Sequence, residues 1–170
     1  MGNRTKADKK AAAELKEAPP AGFYSAGNLQ SIVNNCVRGG SFSKQSRFPA
    51  KRVIESIKRG LPIAELNALQ DTLQVPIDQL ASRLGISRAT LHRRKTEGRL
   101  DSEESDRVVR FAKLFGKAIE ALETEDNARR WLCSEQVGLG GAIPLDYAET
   151  EVGAREVEDL LARIEYSVYS

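Results

Sequence analysis

Histidine, methionine and tryptophan each occur once in these 170 residues, and aromatic side chains make up only 6%. The single histidine, His92, lies among Arg88, Arg93 and Arg94. That cationic setting argues against a histidine-based hydrolase. The two cysteines, Cys36 and Cys133, stand far apart with no C-x-x-C pair and no neighbouring histidine. A zinc centre or a disulfide framework therefore has no support, and both read as reduced thiols. No apolar run approaches the roughly 20 residues of a membrane helix, and Met1–Lys10 is polar rather than signal-like, so a cytoplasmic protein without membrane contact is expected.

Net charge is also scarce: 26 basic residues against 24 acidic leave +2. The distribution is uneven. Residues 1–60 carry 12 basic and 4 acidic side chains, residues 61–100 carry 6 and 4, and residues 101–170 carry 8 and 16. A basic front suits an anionic surface, and an acidic back suits a different partner. Catalysis has only scattered carboxylates in its favour. The adjacent Glu103 and Glu104 sit at a helix start, where capping is the simpler role, and the chain is read as a non-enzyme needing no cofactor and no metal.

What is abundant is helical periodicity, and strand patterning is nearly absent. Residues 1–22 mix Lys, Ala and Glu and close on Pro19-Pro20, a composition that cannot offset its ordering entropy, so a mobile tail is expected. Leu29, Ile32, Val33 and Cys36 recur at helical spacing, followed by a basic loop through Arg47. Pro49 and Gly60 bracket a helix over Ala50–Arg59 whose shared face is Val53, Ile54 and Ile57. Leu66, Leu69 and Leu73 mark the next helix, and Ile77, Leu80, Ala81 and Leu84 another, stopped by Gly85. Asp101 and Glu104 form a capping box ahead of Val108, Phe111, Ala112, Phe115, Ala118, Ile119 and Leu122, about four turns of one apolar stripe. Thr124 opens a helix presenting Trp131 and Leu132. A final helix starts at Thr150 and repeats Val157, Leu160, Leu161 and Ile164, leaving Tyr166–Ser170 beyond it as an exposed aromatic end. The fold class is all-α.

Ile77–Arg94 carries a helix-turn-helix pattern. Ala81 is small where two helices cross, Gly85 supplies the left-handed turn, and Leu80, Leu84, Ile86 and Leu91 make the shared core. Ser87 is placed to cap the second helix, whose outward face gathers Arg88, Ala89, His92, Arg93 and Thr96, a basic hydrogen-bonding surface suited to a major groove. The competing reading is an ordinary helical hairpin with a solvated basic face. Arg94 lies nearer the buried side, where such motifs usually place an apolar residue, and is expected to run its stem past the long helix. Glu97 and Asp101 partly neutralise the local charge.

Several segments together resemble the Xre/MbcA/ParS-type antitoxins of bacterial type II toxin–antitoxin systems, and among them those paired with RES-domain toxins. They are Gly60-Leu-Pro-Ile-Ala-Glu-Leu66, Leu84–Lys95, Gly98-Arg-Leu100, Glu104–Arg107, Ala128-Arg-Arg-Trp-Leu132, Leu139-Gly-Gly141 with Pro144-Leu145, and Gly153–Leu161 continuing through Arg163-Ile-Glu165. The resemblance spans about residues 60–170, and its specific part is the spacing from Trp131-Leu132 through Leu139-Gly-Gly and Pro144-Leu to the last helix. It implies an Xre-like helix-turn-helix and dimerisation core at 48–122 and a small helical toxin-binding domain at 123–170, and residues 1–47, outside the match, are expected to be a basic, partly disordered N-terminal region. It further implies a homodimer that binds operator DNA and represses its own operon, and a partner toxin that consumes NAD⁺ and is blocked near its active site. Residues assigned to toxin contact are Trp131, Leu139, Gly140, Pro144, Glu165, Tyr166, Tyr169 and Ser170.

Two of these have plainer explanations. Trp131 follows helical spacing with Ala128 and Leu132, as a core anchor does, and Gly138–Gly141, with no preceding strand and no Gly-Lys-Ser/Thr, reads as a tight turn rather than a phosphate loop. A different function on the same fold is a stand-alone transcriptional regulator with no toxin.

Overall fold

Amphipathic stripes with a 3.6-residue period bury themselves best against one another, and here they gather around one long central helix. The computed structural model describes residues 31–37 and 50–168, with side chains through Tyr166. The helices are α1 (Ile32–Val37), α2 (Ala50–Arg59), α3 (Ile63–Leu73), α4 (Ile77–Arg83), α5 (Arg88–Glu97), α6 (Ser102–Leu122), α7 (Glu125–Leu132), α8 (Pro144–Tyr147) and α9 (Glu151–Val168), with a 3-10 turn at Val137–Leu139. No strand occurs among the described residues, as the all-α reading requires. The expected mobile tail at 1–22, the basic loop through Arg47, Leu29, Tyr169 and Ser170 lie outside the described residues.

Helix α6 is the axis. Its capping box forms as expected: Asp101 accepts the Glu104 N–H and Glu104 accepts the Asp101 N–H, both at 2.8 Å. Val108, Phe111, Ala112, Phe115 and Ala118 are all fully buried, and full burial of each large side chain contributes about 1.5–3 kcal/mol. Helices α1, α2, α3, α7 and α9 all pack on it. Where α1 crosses, a Cβ on Gly116 would stand 2.3 Å from the Cys36 carbonyl oxygen, so a residue with no side chain is what permits the approach. Cys36 itself is buried, and desolvation pushes its thiol up to about 12.

One contact places α1. The carboxylate of Glu65, on α3 and 1% exposed, accepts the Ser31 hydroxyl at 2.9 Å and the Ile32 and Val33 N–H groups at 3.1 and 3.0 Å. A side chain from a distant helix thus caps α1 and satisfies donors that a helix start leaves unpaired. A second contact closes the segment holding α3, α4 and α5. Leu100 N–H donates to the Leu61 carbonyl at 2.8 Å, Ile63 N–H to the Gly98 carbonyl at 2.9 Å, and an Arg99 guanidinium nitrogen to the Gly60 carbonyl at 2.8 Å.

Two expectations need correction, and one element is new. Ile54 does not join the buried face of α2 with Val53: it is 51% exposed while Val53 is buried, because α2 meets α6 along one narrow line. Residues 144–147 add a short helix, with Pro144 at its first turn, that the sequence pattern did not single out. The last helix does not stop before Tyr166 but runs through Val168, since nothing in Tyr166-Ser-Val breaks a helix already anchored by Val157 and Leu161.

Candidate functional site

The turn between α4 and α5 follows from three residues. Gly85 adopts φ +67°, Ile86 N–H donates to the Ala81 carbonyl at 2.8 Å, and Gly85 N–H donates to the Ser82 carbonyl at 2.9 Å. This double closure is a Schellman motif, and it drops Ile86 onto the core beside Leu80. From α6, Arg107 donates to the Leu84 carbonyl at 2.8 Å and braces the turn. Ser87 then caps α5, its hydroxyl accepting the Thr90 N–H at 3.1 Å.

Leu91 is buried under α5, and Ser87, Arg88, Ala89, His92, Arg93 and Thr96 are all exposed. Five of the six residues assigned to DNA contact are therefore brought onto one side of α5, and the sixth, Ser87, caps its start. The Ser87 hydroxyl is engaged by Thr90, so its part is to hold the helix start; the guanidinium groups of Arg88 and Arg93 are the donors suited to phosphate or guanine. Arg94 lies toward the buried side, its side chain 14% exposed, and its guanidinium meets three carboxylates: Glu104 at 2.7 Å, Asp101 at 2.7 Å and Glu97 at 2.9 Å. The hydrogen bond to Glu104, followed by that to Glu97, raises its pKa still further, so it stays charged.

The toxin-contact residues divide. Thr124 caps α7 by accepting the Asn127 N–H at 3.1 Å. Trp131 packs partly buried against the core, and its carbonyl accepts the Gln136 side-chain amide at 2.9 Å. Gln136 and Ala142 then pair across a small loop, with Gly140 at φ +67° and Gly141 at φ +88°. Leu139 folds toward the core and Gly140 is exposed. The sequence reading missed Val137, 96% exposed at the start of the 3-10 turn in this loop. Its only sequence signal is an apolar residue between a polar stretch and a glycine turn. Pro144 is buried and serves the start of α8 rather than a surface. The loop packs on α9, where Leu160 fills the space a Cβ on Gly138 would take. Glu165 and Tyr166 are exposed toward the end of that same helix, Tyr166 at 75%. No helix of the described residues is long and apolar enough to cross a membrane.

Residues 52–113 match the Antitoxin Xre-like helix-turn-helix domain, and residues 117–166 match the Antitoxin Xre/MbcA/ParS C-terminal toxin-binding domain. The chain is 33% identical to the Antitoxin Xre of Yersinia enterocolitica over 128 residues, covering 72% of this chain and 86% of that one. This chain belongs to the Xre antitoxin family. It is also 28% identical to the Antitoxin Xre of Photorhabdus laumondii, over 67% of this chain and 78% of the relative. A further relative, 27% identical with the same coverages, is the Prs ADP-ribosylating antitoxin of a Sphingobium species. As an Xre-family antitoxin, the chain has a DNA-binding helix-turn-helix at α4–α5 and a C-terminal toxin-binding domain, and its partners are DNA and a cognate toxin.

Proposed function

We propose that the chain neutralises a RES-type, NAD⁺-consuming toxin by binding near its active site, and that as a homodimer it represses its own operon through α5. It acts by binding, without catalysis. The observation that carries the reading is the division of labour on one scaffold: a capped, basic, outward helix face in one half, and an exposed apolar loop residue with an exposed aromatic helix end in the other. The acidic balance of residues 101–170 supports a partner whose cleft attracts an anionic dinucleotide. Residues 48–122 are taken as the DNA-binding and dimerisation core and 123–170 as the toxin-binding unit. Exposed Ile54 on α2 supports that helix as part of the dimer seam, and paired reading heads match two-fold operators.

Co-expression with the neighbouring gene product tests this reading. Rescue of growth, with a stable complex of the two proteins and restored cellular NAD⁺, is the expected result. A chain that binds its promoter yet fails to rescue growth is a stand-alone regulator.

A further inference from the structure

Arg94 sits where an apolar residue would complete the core of a helix-turn-helix, and its three carboxylate partners explain its presence. Two of them, Glu104 and Asp101, belong to the first turn of α6, so the guanidinium fastens the last turn of α5 to the central helix. The third, Glu97, is one helical turn from Arg93. Arg94 Nη1 holds Glu97 Oε2 at 2.9 Å, which leaves Arg93 Nε at a long 3.8 Å from Glu97 Oε1. The two arginines therefore compete for one carboxylate, and the planar fork of Arg94 holds it with hydrogen-bond geometry.

We propose that Arg94 is a positioning residue for DNA binding, which keeps Arg93 available to DNA by holding Glu97 on the protein side of α5 while locking that helix to α6. The proposal rests on the reading that the outer face of α5 binds DNA. Without Arg94, the long i,i+4 contact of Glu97 with Arg93 closes to hydrogen-bond distance, and one cation is withdrawn from the DNA-facing surface. Asp101 and Glu97 then also stand unmasked within a Debye length, about 8–10 Å, of incoming phosphates.

The test uses the full chain with a duplex spanning its own promoter, titrated at several salt concentrations, and compares Arg94→Lys and Arg94→Met, each with and without Glu97→Gln. A lysine keeps charge beside Glu104 but cannot span three carboxylates, so it is the variant best able to fold. The expected result is a loss of affinity of about threefold for Arg94→Lys and about tenfold for Arg94→Met, with a salt slope shallower by about one. Glu97→Gln should restore most of that loss in either background, yet change affinity less than twofold when Arg94 is present. A merely structural role for Arg94 would not be repaired by neutralising Glu97. If Arg94→Met does not fold, the lysine pair decides. The proposal is overturned if Arg94→Lys stays within twofold of the unsubstituted chain, or if its loss persists undiminished with Glu97→Gln. Failure of the unsubstituted chain to bind the duplex would instead remove the DNA-binding reading itself.

Discussion

Arg83 Nε lies 2.5 Å from Asp146 Oδ1, joining α4, the first helix of the helix-turn-helix, to α8 in the toxin-binding domain across 63 positions of sequence. Cys133 lies beside this pair: burial raises its thiol pKa, and the Arg83 charge partly opposes the rise. Arg110 reaches across the same seam to Glu151 at 3.3 Å, and Lys117 meets Glu158 at 2.5 Å. In the first two pairs a cation of the helix-turn-helix domain meets a carboxylate of the toxin-binding domain, and the third lies within the stretch that matches the toxin-binding domain.

Because Asp146 is half exposed, the Arg83–Asp146 pair is expected to stabilise the chain by no more than about 1 kcal/mol. A double-mutant cycle with Arg83→Ala and Asp146→Ala, read by urea unfolding, should give a coupling of that size that shrinks in high salt.

Burial dominates the Glu65 carboxylate and raises its pKa above the ordinary value of 4.5, with the Val33, Ser31 and Ile32 donors opposing. A raised folded pKa means the native state holds the proton more tightly. The resulting stabilisation is full below pH 4.5 and is lost as pH rises through the folded value. Relative to Glu65→Gln, the unsubstituted chain should therefore lose stability as pH climbs above the usual carboxylate range, measured by denaturant melts from pH 4 to 8. Equal pH dependence in both would remove Glu65 as the source.

Gly153→Ala would place a Cβ 1.8 Å from the Tyr147 carbonyl oxygen, and Gly116→Ala one 2.3 Å from that of Cys36. Both neighbours are backbone, so each substitution should destabilise by about 1–3 kcal/mol or more, seen as a lowered Tm. Gly140→Ala meets no atom within 4 Å and carries only the strain of its positive φ, so its loss should be the smallest of the three.

Arg88→Ala with Arg93→Ala should weaken promoter binding by about 1–3 kcal/mol for each lost contact while leaving neutralisation of the toxin intact. A gel-shift titration measures it, and unchanged affinity would move DNA contact off α5.

For the toxin side, removing Tyr166–Ser170 and introducing Val137→Asp separate two docking modes. If the C-terminal end inserts toward the toxin's substrate cleft, the truncation should abolish inhibition and Val137→Asp should cost little. If docking is centred on the loop, the order reverses. Because α9 continues through Val168, the truncation trims a helical turn, and circular dichroism must show the remaining helix intact.

Much of this architecture was written in local pattern. Leu66, Leu69 and Leu73 announced α3, the Asp101–Glu104 box announced α6, and Gly85 with Ser87 announced the turn and cap between α4 and α5, because each depends on residues within a turn or two of one another. The contacts that join distant segments were not legible. Nothing near Glu65 marks it as the cap of a helix more than thirty residues earlier, and nothing near Arg83 names Asp146. Arg94 was visibly out of place, but its partners required the fold. Ile54 misled because helical spacing gives a face its position and not its width.

Three arginines grip neighbouring elements by main-chain oxygen: Arg107 holds the Leu84 carbonyl, Arg129 the Thr72 carbonyl at 2.7 Å, and Arg110 the Glu149 carbonyl at 3.3 Å. A carbonyl is offered by whichever amino acid occupies the position, so these fastenings place no demand on the identity of the residue they hold. What these three grips require of Leu84, Thr72 and Glu149 is therefore backbone position alone. Arg83–Asp146 and Arg94–Glu104 are the opposite case: both ends of each are specific side chains, so a change at one end has to be answered at the other.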